Sequence, residues 1–209
     1  MNKRIAIAGI HTDIGKTIAS AVIAEAIGAD YWKPLQAGNL EQSDTIVVRS
    51  LLGNKNSIVH KEAVRLTQPL SPHAAAAIDG KTIDYKGFTW PATLNTLLIE
   101  TAGGLLSPVS EHNTVADFIQ YYQLPALLVS KNYLGSINHT LLSIEVMKAR
   151  NIPILGIIMN GDSNGASEQF ITTYTQIPII ATIPKMEELN IASIYQCAAR
   201  IKESLLQYL

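Results

Sequence analysis

Five short runs of this chain are apolar at nearly every position: Arg4–Ala8, Leu97–Glu100, Ala126–Ser130, Ile152–Asn160 and Ile177–Ile183. A strand with one wet face alternates apolar and polar residues, whereas a run apolar throughout is covered on both faces. Stretches with helical spacing lie between these runs: Lys16–Ile27, Ser43–Leu52, Ser71–Ile78, Thr114–Tyr122 and Ser136–Arg150, with a last helix over Ile191–Tyr208. Ser71 stands at an N-cap and Pro72 at the first helical position. Tyr31–Pro34 reads as a further short strand, and Asn54–Pro69 gives no clear pattern. Buried strands alternating with helices make a parallel sheet, and right-handed crossovers cover both of its faces. The expected fold is therefore α/β, a three-layer sandwich with a mostly parallel central sheet. It forms one domain over residues 1–209, because no repeat or linker invites a cut.

Composition removes several classes. Charged residues make up 16%, against about 25% in an average chain, so a layered fold or a dimer interface is needed to cover the apolar surface. Sixteen Lys and Arg against seventeen Asp and Glu leave a net charge of −1 and no basic stripe, which argues against nucleic acid as a partner. A single cysteine excludes a disulfide framework and a cysteine zinc site. No apolar run approaches the roughly 18 residues of a membrane span. The apolar start runs straight into His11-Thr12-Asp13 and reads as a first strand rather than a leader, so the expectation is a cytoplasmic protein without a membrane partner.

The densest motif is Gly9-Ile10-His11-Thr12-Asp13-Ile14-Gly15-Lys16-Thr17, between the first strand and the first helix. A polyphosphate needs backbone N–H groups pointing inward, and a glycine turn at a helix N-terminus supplies them. The Gly15-Lys16-Thr17 core fits a phosphate loop, although Gly9 stands one residue further from Gly15 than the general pattern. Lys16 is the side chain for the β- and γ-phosphates, and Thr17 the hydroxyl for Mg²⁺.

Three more residues stand at strand or helix ends. Glu100 closes a buried strand, where an unpaired carboxylate is costly and a metal ion would partner it; the Thr101-Ala102-Gly103-Gly104 turn follows with amides for an anion. Asp44 opens a helix and reads equally as a metal ligand or as an acid in a first helical turn. Lys33, at the end of the second strand with Gly38 beyond it, is placed at the ligand edge of the sheet rather than as a lysine extended to water.

These elements together resemble one family, the dethiobiotin synthetases of biotin biosynthesis, which have a P-loop NTPase fold. The loop is similar to that family's GTDTxxGKT form. Lys33-Pro34-Leu35-Gln36-Ala37-Gly38 resembles its KPxxxG segment. Ser43-Asp44, Ser71-Pro72-His73, Glu100 to Gly104 and Leu134-Gly135-Ser136-Ile137-Asn138-His139 follow in order. The resemblance implies an ATP-dependent ligase acting on 7,8-diaminononanoate and CO₂, through a carbamate and a carbamic–phosphoric anhydride, to give dethiobiotin, ADP and phosphate. It implies catalytic roles for Lys16 and Lys33, and Mg²⁺ held by Thr17, Asp44 and Glu100. Nucleotide contacts fall on Thr12, Asp13, Ile14, Gly15, Lys16, Thr17, Glu100 and Gly103, with Asn160 at the adenine. Substrate contacts fall on Thr12, Lys33, Ala37, Ser71, Gly135, Ser136 and Asn138, the last three at a helix start offered across a homodimer interface, with Ser136 as its cap.

Three positions depart from the family's pattern. His11 replaces an aspartate, Ala37 a serine or threonine, and Thr101 a glycine. Two other phosphate-loop classes fit less well. Partitioning ATPases carry a signature lysine where His11 stands. Amidoligases of the cobyrinate type carry a glutaminase with a catalytic cysteine, whereas Cys197 falls on the apolar face of the last helical pattern.

Overall fold

The computed structural model describes residues 3–209. Six strands form one parallel sheet: β1 (Arg4–Gly9), β2 (Asp30–Trp32), β5 (Leu97–Glu100), β6 (Ala126–Ser130), β7 (Ile154–Asn160) and β8 (Ile179–Ile183). Their order is β2-β5-β1-β6-β7-β8. Every adjacent pair is parallel. The four strands β1, β2, β5 and β6 are buried almost throughout, as runs apolar at every position require.

Helix α1 (Lys16–Ile27) packs against α2 (Asp44–Leu51) and α7 (Ile191–Leu206) on one face. Helices α4 (Val115–Tyr121), α5 (Ser136–Ala149) and α6 (Gly165–Thr175) follow crossovers running the opposite way along the sheet, and a right-handed hand puts them on the other face. The chain leaves β1 toward β2 but leaves β5 toward β6, so the direction of winding switches at β1. That switch opens a crevice beyond the carboxyl ends of β1 and β5, where ligands of such sheets bind.

The expected strands and helices are present with ends shifted by one or two residues. Two strands and one α-helix lie outside the expectation. Helix α6 buries only Ile171 and Thr175, so it has no apolar stripe to read; its signal is the Asn164 cap, whose side chain accepts from the Ser167 N–H. Strands β3 (Leu35–Ala37) and β4 (Val64–Leu66) make a separate two-stranded parallel sheet, too short for periodicity. Their pairing carries the chain from Lys33 to Gly38, where φ is +71° and a Cβ would lie 2.6 Å from the Pro69 Cα. Helix α3 (Pro72–Ile78) starts as expected, but the Ser71 hydroxyl makes no cap and meets His73 Nδ1 at 3.0 Å.

Strand β2 is at an edge, yet it is not open. Tyr31 donates its N–H to the Ile58 carbonyl and its own carbonyl accepts from the His60 N–H, both at 2.9 Å. Fully buried Asp30 locks this segment in place. Its carboxylate accepts from the Ile58 N–H at 2.9 Å and from Asn95 Nδ2 at 2.8 Å, and it meets His60 Nε2 at 2.8 Å. Burial pushes the Asp30 carboxyl up, but these donors outweigh it and hold the pKa below the usual value. Replacing Asp30 by Ala takes a buried acceptor from three part-buried donors, the Ile58 N–H, Asn95 Nδ2 and His60 Nε2. The expected loss is about 3 kcal/mol, a fall in Tm of about 6–12 °C for a chain of this size, read by thermal unfolding at neutral pH.

Candidate active site

The loop after β1 takes two left-handed residues, Asp13 at φ 58° and Gly15 at φ 87°. A Cβ on Gly15 would lie 2.1 Å from Asn160 Nδ2, so only glycine fits there. Gly15 is also the N-cap of α1; no side chain caps the helix and no acid stands in its first turn. Its leading N–H groups are left for an external acceptor, which a helix N-terminus makes favourable for an anion.

Lys16 lies back along this loop, buried, with Nζ 3.1 Å from the His11 carbonyl. Burial pulls its pKa down to about 8, and neighbouring Lys33 lowers it further against the opposing pull of Glu100 and Asp44. Among the described residues the ammonium therefore has a carbonyl and no direct anion to compensate its desolvation.

Thr17, one residue on, faces two carboxylates. Its Oγ1 donates to Asp44 Oδ1 at 2.7 Å and to Glu100 Oε1 at 3.0 Å. Glu100 is 1% exposed. Its other oxygen, Oε2, accepts from Ser20 Oγ at 3.1 Å and Tyr31 Oη at 3.0 Å. Burial and the Glu100 charge push the Tyr31 phenol well up, so it stays a donor. Lys33 Nζ donates to Asp44 Oδ2 and, at 3.1 Å, to Glu100 Oε1. Burial would lower the Lys33 pKa, but the two carboxylates outweigh it and raise it. Asp44 shows the complement: burial pushes its carboxyl up, and the adjacent Lys33 ammonium brings it below its ordinary value.

Asp44 is thus no mere helix-start acid, because its carboxylate is spent on Thr17 and Lys33. The residues that hold it and Glu100 went unread in the sequence. Gln36 Oε1 accepts from the Asp44 N–H at 3.3 Å, and its amide donates to the Gly38 carbonyl. Ser20 and Tyr31 sit inside a helix and a buried strand, where nothing separates a donor to Glu100 from ordinary core.

Two carboxylates and a hydroxyl are hard oxygen donors, few enough to leave room for phosphate and water. That set fits Mg²⁺, which keeps octahedral oxygen coordination with one or two carboxylates. Among the described residues no three His, Cys, Asp or Glu form a group that could hold a metal ion.

A cleft of about 830 Å³ joins these groups to Thr12, Asp13, Gly15, Ala37, Ser71 and Gly103. Five expected residues lie outside its lining, buried Ile14 of the loop among them. Asn160, at the end of β7, backs the loop and donates from Nδ2 to the Ile14 carbonyl at 2.9 Å. Gly135, Ser136 and Asn138 stand at the start of α5, tied to the loop by the stacked rings of His11 and His139, 6.0 Å apart; within the α5 segment Tyr133 Oη meets His139 Nδ1 at 2.7 Å. The expected Ser136 cap is corrected here: Gly135 is the N-cap at φ 96°, and buried Ser136 instead accepts from the Tyr133 N–H at 3.3 Å. Thr101, in place of a glycine, is absorbed by β1, donating its hydroxyl to the Ile7 carbonyl at 3.1 Å.

The family described as AAA domain matches residues 3–193. The chain is 48% identical over 183 residues to the ATP-dependent dethiobiotin synthetase of Christiangramia forsetii, covering 88% of each. It is 45% identical to that of Chlamydia pneumoniae over 94% of this chain and 88% of the relative. Among solved structures, a plasmid partition protein of Borrelia burgdorferi superposes with a TM-score of 0.59 at 13% identity, and the cell division ATPase MinD of Pyrococcus furiosus with 0.58 at 12%, each over the full length of both chains. At those identities they share the fold alone.

The depressed Lys16 pKa makes a prediction of definite sign. Below pH 8 the ammonium is charged in both folded and unfolded chains, and folding bears the whole desolvation penalty. Lys16→Met should therefore stabilise the ligand-free protein there, by about 1–3 kcal/mol. Between about pH 8 and 10.5 the wild type folds with loss of a proton and grows more stable as pH rises, so the advantage of the variant should vanish across that window. Urea unfolding at pH 7 and pH 10 reads both.

Proposed function

The chain belongs to the ATP-dependent dethiobiotin synthetase family, and from that membership we propose how its residues divide the work. The activity itself, an ATP-dependent ligase reaction that yields dethiobiotin, comes with the family. The observation that carries the assignment of roles is the convergence of Thr17, Lys33, Asp44 and Glu100 at the mouth of the phosphate loop.

The substrate is 7,8-diaminononanoate. One amine adds to CO₂ and loses a proton, giving a carbamate. A carbamate oxygen then attacks the γ-phosphorus of ATP and ADP leaves. The second amine attacks the carbamoyl carbon of the anhydride, phosphate departs with its electron pair, and a proton is released as the cyclic urea closes. No step needs a protein nucleophile. Phosphoryl transfer calls for alignment and positive charge.

The loop amides after Thr12 and the first turn of α1 hold the nucleotide phosphates. Lys16 reaches the β- and γ-oxygens and there gains the anionic partner it lacks in the free protein. Lys33 stabilises the carbamate oxygens and the transferring phosphoryl group. Thr17, Asp44 and Glu100 hold Mg²⁺, which when bound offsets phosphate charge. Asn160 spends its Nδ2 on Ile14 and presents Oδ1 toward the adenine. Thr12, Ala37 and Ser71 form the wall beside the diamine, and Gly103 stands at the nucleotide.

The substrate's carboxylate lies several methylenes from its amines, so its receptor stands away from Lys16. The start of α5 suits it: Gly135 is open, and Asn138 is exposed and uncommitted. Leu134, beside them, is fully exposed, as a residue covered by a second subunit would be in a lone chain. The reading is a homodimer whose α5 helix start serves the neighbouring cleft. No described helix is long and apolar enough to cross a membrane, and we place the reaction in the cytoplasm.

Incubation with the diamine, bicarbonate and MgATP should give dethiobiotin by mass, with ATP turnover dependent on both co-substrates; fast diamine-independent hydrolysis would refute the ligase reading. Lys33→Ala should retain most nucleotide affinity and lose about 10²–10³ in rate. Asn138→Ala should raise the diamine KM with ATP affinity unchanged. Mixed with Lys16→Ala, it should regain part of its activity in hybrid dimers; no regain after confirmed subunit exchange would mean that each subunit builds its site alone.

A further inference from the structure

Lys33 and the metal ligands compete for the same oxygens. Glu100 Oε1 accepts from Lys33 Nζ at 3.1 Å and from Thr17 Oγ1 at 3.0 Å, and Lys33 also pairs with Asp44, whose Oδ1 takes Thr17 at 2.7 Å. A Mg²⁺ ion needs oxygens at about 2.1 Å in octahedral array. An ammonium within hydrogen-bond distance of both carboxylates stands where that ion's charge belongs, and two cations a few ångströms apart in a buried site repel strongly. Apart from Asp44 and Glu100, Lys33 has no hydrogen-bond or ion-pair partner among the described residues. Once displaced, it is a buried charge without an anion.

We propose that Lys33 is the counter-ion of the metal-free site, and that a divalent cation taking Asp44 and Glu100 releases its ammonium into the cleft, where only an anionic oxygen of the substrate can receive it. The inference rests on the assignment of Thr17, Asp44 and Glu100 to the metal. It adds a consequence: metal and anionic substrate assist each other, because each removes the other's obstacle, and such coupling is reciprocal. The four-carbon stem of Lys33 permits the shift without moving the strand end. In the free enzyme buried Glu100 and half-buried Asp44 are never left uncompensated, which explains a catalytic cation so closely bonded to groups other than its substrate.

The test uses Mn²⁺ alone on nucleotide-free protein, with free ion counted by electron paramagnetic resonance. Lys33→Met should bind Mn²⁺ about tenfold or more tightly than wild type, and Lys33→Arg, which keeps the charge, should not. If Asp44→Asn weakens binding while Lys33→Met leaves it unchanged, the metal assignment stands and the displacement is refuted. If Asp44→Asn also leaves binding unchanged, the metal assignment falls and the displacement with it. A second measurement avoids substitution. In wild-type protein, reductive methylation of Lys33, followed by peptide mass, should be slow without metal and about tenfold faster with saturating Mg²⁺. An unchanged rate overturns the proposal.

Discussion

Everything at this site follows from the burial of one carboxylate. Glu100 ends a strand covered on both faces and is 1% exposed, where an isolated negative charge is strongly unfavourable. Four donors answer it: Ser20 and Tyr31 on one oxygen, Thr17 and Lys33 on the other. They come from α1 and from the end of β2, and they meet only because the sheet order sets β5 between β1 and β2. A different strand order would put Tyr31 and Lys33 out of reach. The crossover connections and the chemistry of the cleft are thus one constraint seen at two scales.

The two lysines show how context divides identical side chains. Both are buried at the same crevice, yet burial wins at Lys16 and lowers its pKa to about 8, while the carboxylates win at Lys33 and raise it. Lys16 rests on a carbonyl, which supplies a dipole but no charge. The loop around it offers uncapped amides. Lysine and amides together are incomplete without an anion, and a dimension of several phosphate oxygens completes them. The Lys33 side is complete already, which is why any change there is an exchange of partners rather than an addition.

Much of this was legible in the chain. The buried strands announced a parallel sheet, since nothing else covers both faces of so many apolar runs. The Gly15-Lys16-Thr17 turn announced phosphate because it sits between a strand and a helix. Other parts were hidden for physical reasons. Asp44 stays ambiguous on spacing, because an acid at a helix start is favourable with or without a ligand; its contacts with Thr17 and Lys33 come only from the fold. Tyr31 reads as core, and it is core: its ring packs while its hydroxyl serves Glu100, a double use invisible to hydrophobic pattern. Helix α6 has no apolar stripe to betray it, although a parallel β7–β8 pair demands a crossover of that length. The Gly135 cap displaced the serine beside it because a left-handed residue at φ 96° sets the helix entry by backbone geometry, leaving the hydroxyl free to turn back on Tyr133.

The covering of β2 has a bearing beyond the cleft. Its outer row of amides and carbonyls is matched by residues 58–60, and Asp30 pins that segment from beneath. A bare edge strand is a template for any passing chain, and folded proteins blunt such edges with loops and charges. Here the blunting segment is held by the strand that also delivers Lys33. Loosening the Asp30 contacts would do more than soften the fold: it would free the Tyr31 N–H and carbonyl on an apolar edge strand, and so turn a loss of local order into a route to intermolecular strand addition and insoluble protein.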